Sequence, residues 1–252
     1  MGMEALLRGW VSRMLPQAEN DNDPSVVRLG RFGDVWTIGG VRKQHALADE
    51  GSYFIANNAG TGVASSAAPT SFLDTAPMMT IQNTDTSGNQ NGKRIHLDFI
   101  RILQTVAGTA GTDLRLRGII DYTAPSGGTI LTTLSPNSDV PKAASVAVAR
   151  LFPVGIAQTG NSRQIFGGTS WQALLTATAP LQALDEVTLN FGAVEWAQPT
   201  IVGQTVGVTI QRLTWNMPPV VIGPGACLML EHIITLQSAA SSWHVECGWW
   251  ER

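Results

Sequence analysis

Beyond Pro77 the apolar residues of this chain recur at every second position, a period that fits β-strands and excludes amphipathic helices. Residues 113–122 show the pattern plainly. Leu114, Leu116 and Ile120, with Gly118 and Tyr122, fall on one face; Asp113, Arg115, Arg117 and Asp121 fall on the other. In 186–191, Val187, Leu189 and Phe191 share a face. In 243–250, Trp243, Val245, Cys247 and Trp249 point one way, and His244, Glu246 and Trp250 the other. The long stretch 94–106 alternates through Ile95, Leu97 and Phe99 and then changes phase, with Ile100 and Ile102 apolar as well. A phase change inside one strand predicts a bulge, or a second half covered on both faces.

Further strands are expected over 78–83, 146–154, 204–215 and 226–236, with Gly, Pro, Ser and Asn at the turns; the piece 167–179 is ambiguous between strand and helical turn. The pattern predicts an all-β fold. Residues 77–252 are expected to form an antiparallel two-sheet β-sandwich, jelly-roll-like in topology. The Cys–Trp–Cys spacing of an immunoglobulin domain is missing, and no repeat of fixed period points to a propeller or solenoid.

The first residues follow another rule. Leu6, Leu7, Trp10, Val11, Met14 and Leu15 fall on one helical stripe that Pro16 stops, and 17–25 is a polar linker. Residues 1–25 therefore read as a short N-terminal helical arm with its linker. The stripe is expected to be buried against its own domain, against a neighbour or shell, or against a membrane. Residues 26–76 read as an extended, irregular connection, in which 57–75 is a loop of small residues.

Charge narrows the partners. Charged residues are only 14% of the chain and the net charge is −3, so nothing supplies the clustered cations that a nucleic-acid partner requires. A weakly charged surface opposes association little, which suits a protein that works inside an assembly. Arg8 and Arg13 interrupt the apolar run of the first fifteen residues, so a signal peptide is not expected, and no window reaches the length of a membrane span. Two cysteines, Cys227 and Cys247, cannot build a disulfide framework, and no glycosylation sequon occurs.

Motifs for catalysis fail individually. There is no nucleophile elbow and no zinc-protease motif. The nearest phosphate loop, 88–94, has one residue too few between its glycines and Arg94 where Ser or Thr should hold magnesium; it reads as a polar hairpin loop. Gly223-Pro224-Gly225 lacks a third glycine and reads as a turn. His96 with Asp98, and His244 with Glu246, are i, i+2 pairs that could converge on a metal. If 226–236 and 243–250 form a hairpin, His232 would oppose Cys247, but alternation sends His244 and Glu231 to other faces. Asp49–Glu50 and Asp185–Glu186 are adjacent, not disposed across a cleft. No catalytic residue, metal or cofactor is assigned.

Four of the eight tryptophans, Trp215, Trp243, Trp249 and Trp250, lie late in the chain. They fit core packing, a sugar-binding platform or a protein interface. Trp249 and Trp250 face opposite ways, so one of them is expected to leave the core. The expected contact residues are therefore Leu6, Leu7, Trp10, Val11 and Met14 on the arm, and Trp249 and Trp250 at the other end.

Residues 46–58 (ALADEGSYFIANN), followed by 59–65 (AGTGVAS), resemble a segment recurrent in virion proteins of tailed phages, cyanophages among them, and 243–252 (WHVECGWWER) resembles the closing strand of the same group. The resemblance implies a structural protein located in the virion: a capsid decoration (cement) protein, a minor head protein or a tail-associated sandwich. Low charge, many small residues, an apolar-striped arm and an aromatic terminus favour the decoration type, expected as a homotrimer in contact with the major capsid protein or other virion proteins; neither nucleic acid nor membrane is expected as partner. The alternative it leaves open is a tail-associated or receptor- or carbohydrate-binding β-sandwich.

Overall fold

In a computed structural model of the chain the described residues are 43–49, 51–58, 62–65, 69, 71–87, 92–106, 113–138, 144–156, 159–167, 183–192, 200–201, 212–235 and 241–252. The arm expected over 1–25, with Leu6, Leu7, Trp10, Val11 and Met14, lies outside them, as does most of the ambiguous piece 167–179. Two compact units are present: residues 1–53 with 135–143, and residues 54–134 with 144–252.

The first unit contains α1 (Lys43–Asp49), a helix within the connection that the sequence marks as irregular. Two turns are too short to show a helical period. The helix ends at Gly51, whose φ of 74° lets its amide reach Ala48 O, while the Ser52 amide and hydroxyl both donate to Leu47 O. Asn137 adds a side-chain bond to Ala48 O at 3.1 Å. No described helix is long and apolar enough to cross a membrane.

The second unit is the β-sandwich. Its strands are β1 (Tyr53–Asn57, entering from the first unit), β2 (Val63–Ala64), β3 (Met79–Asn83), β4 (Ile95–Val106) and β5 (Asp113–Asp121). They continue as β6 (Thr129–Ile130), β7 (Thr132–Leu134), β8 (Ala147–Leu151), β9 (Arg163–Phe166) and β10 (Glu186–Phe191). The last are β11 (Thr200–Ile201), β12 (Arg212–Met217), β13 (Val221–Ile222), β14 (Cys227–Thr235) and β15 (Ser242–Glu251). The sequence pattern points to seven or eight; the others are mainly short pieces that alternation cannot register. The first sheet runs β11-β12-β10-β4-β15-β1-β7, with β13 also on β4 and β2 also on β15; the second runs β6-β8-β3-β14-β5-β9.

The chain changes sheet between β4 and β5 and again between β14 and β15. The antiparallel pairs β4–β15 and β5–β14 are therefore nested, one in each sheet, as in a jelly roll. The hairpin considered for the last two strands is therefore not formed. His232 lies opposite Leu116 and Cys247 opposite Ile100, so the two are not neighbours. The loop before β4 is likewise a crossover from the second sheet to the first and not a hairpin. One pair, β10–β12, runs parallel in an otherwise antiparallel arrangement of registers, and residues 192–211 supply the long connection a parallel neighbour needs.

The phase change in β4 is a bulge. Leu97 pairs with Trp249 and Phe99 with Gly248, so Asp98 is the extra residue. The bulge keeps β15 in constant phase while β4 shifts, and Leu97, Ile100 and Ile102 all reach the core opposite Trp249, Cys247 and Val245. Strand β14 is covered on both sides. Leu228, Leu230 and Ile234 join the core between the sheets, whereas Cys227 and Met229 pack with Ile119 and Ile156 on the outer side.

Candidate interaction face

The outer side of the first sheet is built by the residues that alternation turns away from the core. Because four strands run side by side, these residues line up in rows. One row is Trp250, His96 and Val221, across β15, β4 and β13. A second is Glu246, Arg101 and Thr188; a third is His244, Leu103, Glu186 and Arg212.

The central rows carry a charge-neutral quartet. Arg101 Nη2 donates to Glu186 Oε2 at 2.8 Å and its Nη1 to Glu246 Oε2 at 3.4 Å, and Arg212 Nε stands 4.0 Å from Glu186. Thr188 Oγ1 adds a bond to Glu186 Oε1 at 3.2 Å. Burial raises the Glu186 carboxyl, but the hydrogen bond and charge of Arg101, with Thr188 and Arg212, outweigh it and leave the pKa lowered. The Glu186 bond in turn raises the Arg101 pKa. Both pairs are half in water and add little stability by themselves.

The end row is aromatic. The Trp250 indole stacks on the His96 ring with centroids 5.2 Å apart and planes 6° from parallel, and Val221 beside them is 44% exposed. Phe99 and Leu103 are half-buried on the same face. The result is a surface that mixes half-exposed apolar groups with a quartet of internally paired ions. Such a composition resembles a protein–protein contact more than a ligand cleft.

The expected contact residues divide accordingly. Trp249 is fully buried: its ring stacks against Phe54 and its Nε1 donates to Glu251 Oε1 at 3.2 Å. Of the two adjacent tryptophans, Trp250 is the one left part-exposed. Trp215 and Trp243 are core residues too, so neither can present a sugar platform at the surface.

Glu251 is the residue that motif reasoning passed over, although it continues the inward series 243, 245, 247 and 249. Its buried carboxylate accepts the Trp249 indole, the Val146 amide and the Ser145 hydroxyl, with Lys93 Nζ at 3.5 Å. The last strand of the first sheet is thereby pinned to the lead-in of β8 in the second.

The candidate metal ligands are dispersed. His45 is exposed on α1, His96 is stacked on Trp250, and His244 lies in the row with Leu103. His232 faces the core between the sheets, where neither ring nitrogen meets a hydrogen-bond partner among the described residues; burial pushes its pKa down to about 4. Among the described residues no three of His, Cys, Asp and Glu stand close enough to hold a metal ion. Cys227 and Cys247 are free, buried thiols; burial raises the first to about 12 and the second further. Gly223-Pro224-Gly225 is a turn closed by Ala226 N to Gly223 O, delivering the chain into β14. In the loop before β4, Asp85 accepts the amides of Ser87 and Lys93; the Ser87 side chain first, and then these two amides, lower its pKa.

Compared with protein-family models, with curated proteins and with solved structures, the chain matches none. Fold and face together define a two-sheet β-sandwich whose first sheet carries a neutral ion quartet on its outer side.

Proposed function

We propose that the chain is a non-enzymatic structural protein of a phage virion, of the capsid decoration type, which docks the outer face of its first sheet on capsid subunits. The observation that carries this reading is the face itself: Trp250, Val221, Phe99 and Leu103 half-exposed around a neutral ion quartet. Low overall charge and the virion-like segments at 46–65 and 243–252 support it. A cement protein needs a broad, uncharged contact and no chemistry, and trimeric closure would leave no open interface.

The experiment is to image particles carrying the native chain and the Trp250→Ala variant by electron microscopy. Many copies spread over the shell, with occupancy falling in the variant, support the reading. A small fixed number at the tail or a vertex transfers the protein to the tail-associated alternative. Full occupancy by a correctly folded Trp250→Ala chain removes the face from the contact.

A further inference from the structure

The outer side of the second sheet carries a polar cluster that the docking face does not use. Arg117 on β5 and Glu231 on β14 are registered opposite each other. Arg117 Nε donates to Glu231 Oε2 at 2.7 Å, and its Nη2 bonds both Glu231 and Asp74. Asp74 belongs to residues 71–76, which lie over the strands as a strap. Phe72 of the strap sits over the Arg117 guanidinium, 4.8 Å from Cζ to the ring centroid. Just ahead of it, Pro69 O accepts the Ile234 amide at 2.9 Å.

Glu231 has a fully enclosed side chain, whereas Asp74 is 32% and Arg117 21% exposed. Two carboxyl groups thus meet one guanidinium. Glu231 Oε1 finds no donor among the described residues, while Glu231 Oε2 and Asp74 Oδ1 both bond the same Arg117 Nη2, which brings the two carboxyl groups side by side. Ionised carboxylates only accept, so contact between them requires a proton on one. The other groups on this side are fixed by register. Arg115 lies opposite Ile233, and Asp121, opposite Cys227, accepts Thr159 and the Tyr122 amide. Strand β3 presents Thr80 and Gln82, and the covering segment presents Ile156 and Thr159, none of them ionisable.

We propose that Glu231 and Asp74 share a proton that fastens the strap to the second sheet, and that loss of this proton loosens the strap. Burial, followed by the contact with Asp74, pushes Glu231 up to about 8, against the pull of Arg117. Below that pH the pair carries one negative charge, which Arg117 balances. Above it, two carboxylates face one cation, and the partner free to move is Asp74. Glu231 is held by β14 and keeps Arg117; Phe72 and the Pro69–Ile234 bond lose their anchor.

Amide hydrogen exchange on the full chain tests this, with rates corrected for base catalysis of the exchange chemistry itself. Between about pH 6.5 and about pH 9.5 the exposure of residues 71–76 and of the Ile234 amide is expected to rise at least about tenfold, while the Ile102 amide in the core stays protected. In Glu231→Gln the amide donates to Asp74 without a titrating proton, and the rise is expected to vanish. Asp74→Asn, on the half-exposed strap, gives the same result should the buried variant fail to fold. Unchanged exchange in the native chain, or the same rise in a folded variant, overturns the proposal.

Discussion

Replacing His232 by Leu isolates one unfavourable polar burial in the core. The imidazole is 3% exposed, sits opposite Leu116 with the Phe152 ring 6.0 Å away, and leaves both nitrogens unpaired among the described residues. Leucine fills a similar volume and removes two unpaired polar atoms, so at neutral pH the variant is expected to gain about 1–3 kcal/mol. The larger signal is in the pH dependence. The folded pKa is lowered from 6.5 to about 4, so the stability linked to this group is complete above pH 6.5 and is lost as pH falls toward 4. Each full unit costs about 1.4 kcal/mol, and with the ends of the titration included the loss between pH 6.5 and pH 4.5 is about 2 kcal/mol. Glu231, the preceding residue but on the opposite side of β14, has its pKa raised from 4.5 to about 8 and loses stability as pH rises through that range. In the native protein the contributions of these two groups oppose each other between pH 4.5 and 6.5. The informative quantity is the difference between variant and native stability, measured by urea or thermal unfolding at pH 7 and pH 4.5. It is expected to widen by about 2 kcal/mol on acidification, or roughly 4–8 °C in Tm for a chain of this size. A constant difference would refute the claim that the imidazole is buried, neutral and unpaired.

The two adjacent tryptophans should separate cleanly by chemical denaturation. Trp249→Ala opens a cavity at the centre of the core and is expected to cost about 3–5 kcal/mol, whereas Trp250→Ala should stay within about 1 kcal/mol of native. A methyl group on Gly118 would stand 2.2 Å from the Phe166 ring, so Gly118→Ala is expected to cost about 1–3 kcal/mol in thermal melts, with part of it recovered by Phe166→Leu in the same chain. Glu251→Ala leaves the Val146 amide and the Trp249 indole without their acceptor and is expected to cost about 2–4 kcal/mol, far more than the roughly 1 kcal/mol at most for Arg101→Ala on the open face.

Period-two alternation made the strands legible wherever one face is core and the other open. Strand β10 was bounded to the residue, β5 and β15 nearly so, and the phase change in 94–106 located the Asp98 bulge. Order in the sheets was not legible, because which strands pair depends on how distant inward faces meet. Strands β14 and β15 follow each other directly, and proximity suggests a hairpin; the nested arrangement instead sends them to different sheets. The parallel β10–β12 pair is hidden for the same reason. Arg117 alternates outward and reads as a solvent residue, since nothing local reveals that 71–76 covers it. Residues 227–234 carried the clearest overlooked signal: a nearly continuous apolar run marks a strand covered on both sides, and Glu231 and His232 within it are ionisable groups taken out of water.

The two outer surfaces of the sandwich differ in a way that bears on which one a partner would cover. Over β5 and β14 the second sheet is already closed by its own chain, through the strap at 71–76 and the segment holding Ile156 and Thr159. On the outer face of the first sheet no described segment covers Arg101 and Arg212 in this way, and the two are 44% and 63% exposed. Covering charges usually carries a heavy desolvation cost, and a docking partner would have to supply counter-ions. Here each charge already has its opposite within the quartet, so a neutral partner can exclude water without stranding an unpaired ion, and the pairs strengthen as the local dielectric falls. Trp250, Phe99 and Leu103 then supply the apolar contact, with Trp250 already oriented by its stack on His96 and losing little side-chain freedom on binding. On the proposed reading, the face would receive a broad, weakly charged surface, in keeping with the low overall charge of the chain.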